Sequence, residues 1–114
     1  MDRKAHPNLA GAYVADESVL SLGTYIDRNG LSGKVAAVGF NLTAGIPELV
    51  QKGAISAAIG QYAYQQAYRP VEMLDQFLTS GTLPPCSLCD VGALIVNGDN
   101  VKAFLSNPDR AKLL

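Results

Sequence analysis

Short apolar runs alternate along the chain with segments of helical period. Ala12-Tyr13-Val14-Ala15 reads as a strand ending at Asp16. From Glu17 to Arg28, Val19, Leu20, Leu22, Gly23 and Ile26 recur at helical spacing and predict an amphipathic helix. Asp16 or Ser18 can cap its start, and Asn29-Gly30 supplies its stop. Lys34 to Phe40 is apolar on both faces, as a strand inside a parallel sheet should be. Thr43 to Lys52 reads as a short helix that tolerates Pro47 in its first turn and closes at Gly53. Ala54 to Gly60 is a third strand. Tyr64 to Thr79 is the longest helix, with Tyr64, Ala67, Tyr68, Val71, Leu74 and Leu78 on one face and Pro70 expected to kink or divide it. A loop with two prolines leads to a fourth strand, Gly92 to Asn97. Asp99 or Asn100 can cap a last short helix through Phe104 and Leu105, and the tail after Pro108 is expected to fray.

Strands alternating with helices imply βαβ units, hence an α/β fold with a parallel sheet covered on both faces. In such sheets, ligands bind beyond the carboxyl ends of the strands. Three strand ends are therefore the candidates for chemistry: Ala15-Asp16-Glu17, Phe40-Asn41-Leu42-Thr43 and Gly60-Gln61-Tyr62. Asp16, Asn41 and Gln61 offer one carboxylate and two amides, a set that can both donate to and accept from a polyhydroxylated ligand. Tyr62 and Tyr64 could stack on the apolar face of a sugar ring. The same residue types also serve as ordinary loop and cap residues.

Composition narrows the picture. The 114 residues suffice for one small domain, and 48% hydrophobic against 17% charged residues marks a folded segment. A net charge of -1, with scattered basic residues, argues against a nucleic-acid surface. No apolar run approaches the ~20 residues of a membrane-spanning helix. Met1 to Pro7 is polar and has no apolar stretch of the kind a secretion signal carries, which fits a cytoplasmic chain or a piece of a longer one.

Catalytic motifs are absent. There is no Gly-x-Ser-x-Gly elbow, no Walker loop and no Gly-x-Gly-x-x-Gly. His6 sits in a polar stretch and reads as solvated, and the adjacent Asp16 and Glu17 are explained by helix capping as well as by acid/base work. The chain is therefore expected not to be an enzyme and to carry no cofactor or metal. Cys86 and Cys89 could form a redox pair or half of a metal site, but a Pro-Pro loop precedes them and a strand follows. A local disulfide or two unreactive thiols is the plainer reading.

The string Ala36-Ala37-Val38-Gly39-Phe40-Asn41-Leu42-Thr43 resembles the "V-G-F-D-x-T" signature of ribose-binding-protein-like proteins. These are type I periplasmic binding proteins, whose fold lactose-repressor-family regulators share. Val50 to Gln61 resembles the family's "K-G-x-I-x-A-x-x-x-Q", and Tyr64-Gln65-Gln66-Ala67-Tyr68 with Val71 to Leu74 resembles "P-Y-x-Q-G-Y-x-x-V-x-x-L". Upstream, His6-Pro7-Asn8-Leu9 and Tyr13 to Glu17 are similar to "H-P-D-I" and "A-x-N-D-E"; downstream, Gly92 to Val96 with Asn100-Val101 is similar to "T-G-x-x-V-T-x-x-N-V".

The resemblance implies that the whole chain, residues 1–114, is the last part of the C-terminal lobe of a longer, two-lobed protein. It implies sugar binding as the substrate-binding component of an ABC transporter, with the effector domain of a lactose-repressor-type regulator as the alternative. Asn41 and Gln61 inherit the sugar-binding roles of the family's Asp and Gln, while Ala15 stands where the family has a sugar-binding Asn. The implied partners are a sugar or related polyol, the missing N-terminal lobe and a membrane permease. The full-length protein would be periplasmic. The helix from Tyr64 would lose its partner in the missing lobe, so the isolated chain is expected to dimerise, swap elements or be marginally stable.

Overall fold

The computed structural model describes residues 6–113; most of the polar opening stretch from Met1 to Pro7 lies outside them. The elements follow the order β1 (Gly11–Val14), α1 (Val19–Arg28), β2 (Ala36–Phe40), α2 (Ile46–Gln51), β3 (Ala57–Gly60), α3 (Ala63–Ser80), β4 (Leu94–Asn97), α4 (Val101–Ser106) and a closing 3-10 turn (Arg110–Leu113). All four strands and four helices foreseen from the apolar pattern are present, most of them a few residues shorter than expected. The tail after Pro108 is not wholly frayed, because the 3-10 turn lies against α3 and the Arg110 guanidinium donates to the Leu105 carbonyl.

The sheet order is β1-β2-β3-β4. The first two pairings are parallel, Gly11 opposite Ala36 and Val38 opposite Ala57, with α1 and α2 as the crossovers. The last pairing is antiparallel, Gly60 opposite Leu94, so the sheet is mostly rather than wholly parallel. The reason lies in α3. A helix packed down the sheet would return the chain to the amino ends of the strands. None of α3's residues is buried, the chain stays at the carboxyl rim, and β4 enters from there. The helix runs unbroken through Pro70 rather than dividing.

Among the described residues, helices cover one face of the sheet and not both as expected. α1 packs on α2 and α2 on α4, so these three helices share one face. That face carries the core: Val19, Ile26, Ile46, Val50, Ile55, Ala58, Val96 and Val101 are at most 2% exposed. Two glycines permit the close approach. A Cβ on Gly39 would stand 2.4 Å from Val19, and one on Gly23 would stand 2.6 Å from Ile55. The opposite face holds Tyr13, Val38, Phe40, Ile59 and Ile95, and among the described residues no helix covers it. Tyr13 remains 61% exposed and Ile95 56%. Tyr13 meets Phe40 edge-on there, with ring centroids 6.3 Å apart. A parallel sheet ordinarily buries both faces; this chain supplies the helices for one.

α3 carries a second open stripe, with Tyr64, Tyr68, Val71, Leu74, Phe77 and Leu78 all exposed. The projecting helix gives the chain a radius of gyration of 18.0 Å, against about 13 Å for a compact chain of this length.

Candidate functional site

The carboxyl rim of β2 and β3 is where the backbone departs from ordinary geometry. Asn41, directly after β2, has φ 74, and Tyr62, directly before α3, has φ 49. They are the two non-glycine residues described in the left-handed region. Asn tolerates that conformation, whereas for a bulky Tyr it is an outlier of the kind that concentrates at functional sites. The Asn41 amide N–H donates to the Ile59 carbonyl at 2.9 Å, which ties the end of β2 to β3 and fixes where the side chain starts.

From these anchors a chain of side-chain hydrogen bonds runs across the rim. Gln61 Nε2 donates to Asn41 Oδ1 at 3.3 Å. Asn41 Nδ2 in turn donates to Glu17 Oε1, also at 3.3 Å. Gln66, one turn into α3, donates through Nε2 to the Gln61 carbonyl at 2.6 Å and holds that corner. The three head groups border an open cavity of about 340 Å³, lined by Glu17, Asn41, Leu42, Thr43, Gly60, Gln61 and the first residue of α3. Asn41 and Gln61 are half-buried and Glu17 is exposed.

The structure thus brings together Asn41 and Gln61 and adds Glu17, a strand-end position whose carboxylate helix capping explains equally well from the sequence alone. The available signal was its place directly after Asp16 at a strand–helix junction. Asp16 serves the helix instead, its carboxylate accepting the Ser18 N–H at 2.8 Å at the start of α1. Hydrogen bonding from Ser18, its hydroxyl first and its backbone N–H second, holds the Asp16 pKa below the ordinary carboxylate value of 3.8. Asp16 and Tyr62 adjoin lining residues in the chain and Ala15 stands two positions before Glu17, but none of the three lines the cavity. Tyr64 does not line the cavity either; it stacks on Tyr68 along α3, ring centroids 5.6 Å apart. Asn100 occupies the cap position of α4, yet its side chain serves β4 instead, accepting from the Asn97 N–H at 2.9 Å and donating to the Ile95 carbonyl at 2.8 Å.

Cys86 and Cys89 form a disulfide, with Cα atoms 5.4 Å apart, in the loop that returns from α3 to β4. No group of three or more His, Cys, Asp or Glu placed to hold a metal occurs among the described residues.

The open, mostly parallel α/β sheet matches solved structures of the type I periplasmic-binding-protein fold over nearly the whole chain. The chain resembles, at 24% identity and a TM-score of 0.77, an ABC transporter solute-binding protein from Agrobacterium vitis with bound D-fucose, covering 98% of this chain and 37% of that one. It resembles a carbohydrate transporter solute-binding protein from Agrobacterium radiobacter in complex with D-arabinose at 25% identity and a TM-score of 0.74, covering 97% and 36%. A protein from Bacteroides fragilis described as a LacI transcriptional regulator is similar at 17% identity and a TM-score of 0.75, covering 89% and 34%. The chain therefore spans a little over a third of the length of these structures. No protein-family model matches the sequence, and no curated protein matches it.

Proposed function

We propose that residues 1–114 are the closing part of the C-terminal lobe of a solute-binding protein, serving a sugar ABC transporter by binding a sugar or related polyol. The observation that carries this reading is the meeting of Asn41 and Gln61, 20 residues apart in sequence, at the mouth of one cavity. Paired amides at the carboxyl rim of a parallel sheet offer donors and acceptors side by side, which is what hydroxyl groups require. The open sheet face and the stripe on α3 support the reading of a partial lobe, because both await packing that the rest of a two-lobed protein would provide. In that setting the cavity is one wall of a cleft, and closure of a second wall on the sugar is the event a membrane permease would detect. The disulfide supports a periplasmic location, since disulfides persist in oxidising compartments. Binding, not catalysis, is the work of this site.

The alternative is an effector-binding domain of a lactose-repressor-type regulator. The apolar surface left open on the sheet favours it in one respect, since self-association is intrinsic to such regulators.

The test is a titration of the isotope-labelled chain with neutral pentoses and hexoses, followed by amide NMR shifts. Saturable shifts centred on Glu17, Asn41, Thr43 and Gln61 are expected, with weak affinity because only one wall is present. Shifts spread evenly over the surface, or none at all, would remove the sugar reading.

A further inference from the structure

Glu17 changes what the rim can recognise. The hydrogen-bond chain has a direction: Gln61 donates to Asn41, and Asn41 donates to Glu17. It ends on a carboxylate, which accepts only. What remains for a ligand is one free N–H on each amide, the Gln61 Oε1 acceptor, the hydroxyl of Thr43 and the unused lone pairs of the Glu17 carboxylate. The charged member of this set is an acceptor.

Among the described residues, the cavity lining holds no cation, neither lysine nor arginine, to offset it. Arg28 ends α1, Lys34 precedes β2, Lys52 follows α2 and Lys102 opens α4, so the topology puts all four at the amino end of the sheet. Lys52 is engaged there with Asp27 at 3.4 Å. The helix starts at the rim are a further source of positive potential, and two of the three are closed by the chain's own carboxylates. Asp16 accepts from Ser18 before α1, and Glu48 Oε2 accepts the Gly45 N–H at 2.9 Å before α2. No carboxylate of this kind closes the start of α3, whose first turn carries no acidic residue, and the partial charge of one helix end is smaller than that of a full carboxylate.

We infer that Glu17 is the specificity-determining residue of this site, and that it selects neutral and amino-substituted polyols against acidic ones. The inference rests on the sugar-binding reading proposed above. An ammonium group, with three donors and no acceptor, matches Glu17 Oε2 and Gln61 Oε1. A carboxylate on the ligand would face Glu17 with like charge.

The experiment titrates the labelled chain with D-glucosamine, D-glucose and D-glucuronate near neutral pH and low salt, reading affinity from amide shifts at the rim. The expected order is glucosamine, then glucose, then glucuronate, with about a tenfold spread between the ends, the size of a modest interaction between partly solvated charges. Glu17→Gln keeps the side-chain shape, and an unchanged amide spectrum elsewhere verifies the fold. In that variant the spread should fall to about twofold. Asp75→Asn removes the same charge from exposed α3 and should leave the spread intact, which separates a local contact from net charge. Tighter binding of glucuronate would overturn the inference and assign the site to the amino end of α3. Equal binding of all three with a silent Glu17→Gln would overturn it while leaving the sugar reading standing. Binding of none would end the sugar reading and the inference with it.

Discussion

Gln61 Nε2 and Asn41 Oδ1 lie 3.3 Å apart across the β2–β3 rim, joining the two strand ends by a side-chain bond. Asn41 holds its end of this bond from a left-handed backbone, φ 74. Side chain and backbone can therefore be tested separately. Asn41→Gly keeps the conformation and removes the amide. It should leave the unfolding midpoint near that of the parent and weaken sugar binding at least about tenfold, the effect of losing a ligand contact worth roughly 1.4 kcal/mol. Asn41→Ala removes the same amide and adds about 1–2 kcal/mol of backbone strain. Urea unfolding beside the NMR titration distinguishes the two. Full binding by the glycine variant would mean that the amide does not touch the ligand.

Gly39 tests the packing beneath the rim. It lies in β2 under α1, where an added Cβ would stand 2.4 Å from the Val19 Cβ and 2.5 Å from a Val19 methyl. The close atoms include the root of a stiff, fully buried β-branched side chain, so relief requires α1 to move. Gly39→Ala should cost about 1–3 kcal/mol in urea unfolding. Adding Val19→Ala should recover part of that loss, because the two changes share one space. Additive losses in the double variant would show that the contact is not what makes alanine costly.

Much of this was legible in the apolar pattern, and particular residues show where legibility ended. Strands and helices with a core-facing stripe, such as α1 with Val19, Gly23 and Ile26, announce themselves by period. The candidates Asn41 and Gln61 were legible because polar residues directly following apolar strands fall at the sheet's carboxyl rim. The direction of β4 was not, since Leu94 to Asn97 reads the same either way. Direction depended on whether α3 packs on the sheet, and its apolar stripe gives no sign of which surface it faces. The open sheet face was hidden for the same reason. Val38 and Ile59 are as apolar as residues covered on both sides, and their covering is a property of other elements. Glu17 falls among the strand-end positions, but its role was not legible, because a carboxylate beside a helix start has a sufficient local explanation, which Asp16 turned out to fulfil.

Asp16 gives the pH dependence a defined sign. Hydrogen bonding from Ser18, its hydroxyl first and its backbone N–H second, lowers the folded pKa below 3.8, so these bonds stabilise the folded chain above that value and are lost as pH falls through the lowered pKa. Asp16→Ala should be less stable than the parent at neutral pH, by a small margin because the carboxylate is exposed. Thermal unfolding at a series of pH values should show the gap between parent and variant closing in acid below 3.8. A gap constant down to the lowest pH would mean that the alanine variant loses something other than a carboxylate bond.

The apolar surface predicts how the chain behaves alone. Its accessible surface is 7460 Å², against about 6,000 Å² for a compact protein of this mass. The excess is comparable to the area one partner contributes to a large stable interface. Two surfaces carry most of the exposed large apolar side chains: the bare sheet face with Tyr13 and Ile95, and α3 with Val71, Leu74 and Leu78. Neither takes part in the core formed by α1, α2 and α4, so charges placed there should leave that core intact. Sedimentation is expected to show concentration-dependent association, and a hydrophobic dye should bind the monomer. Ile95→Lys with Val71→Lys should shift the distribution to monomer while the unfolding midpoint at low protein concentration stays within a few degrees of the parent. A parent chain that remains strictly monomeric at high concentration and binds no dye would require α3 to fold back over the sheet in solution. In that case the open face would be a property of one conformation and not of the chain.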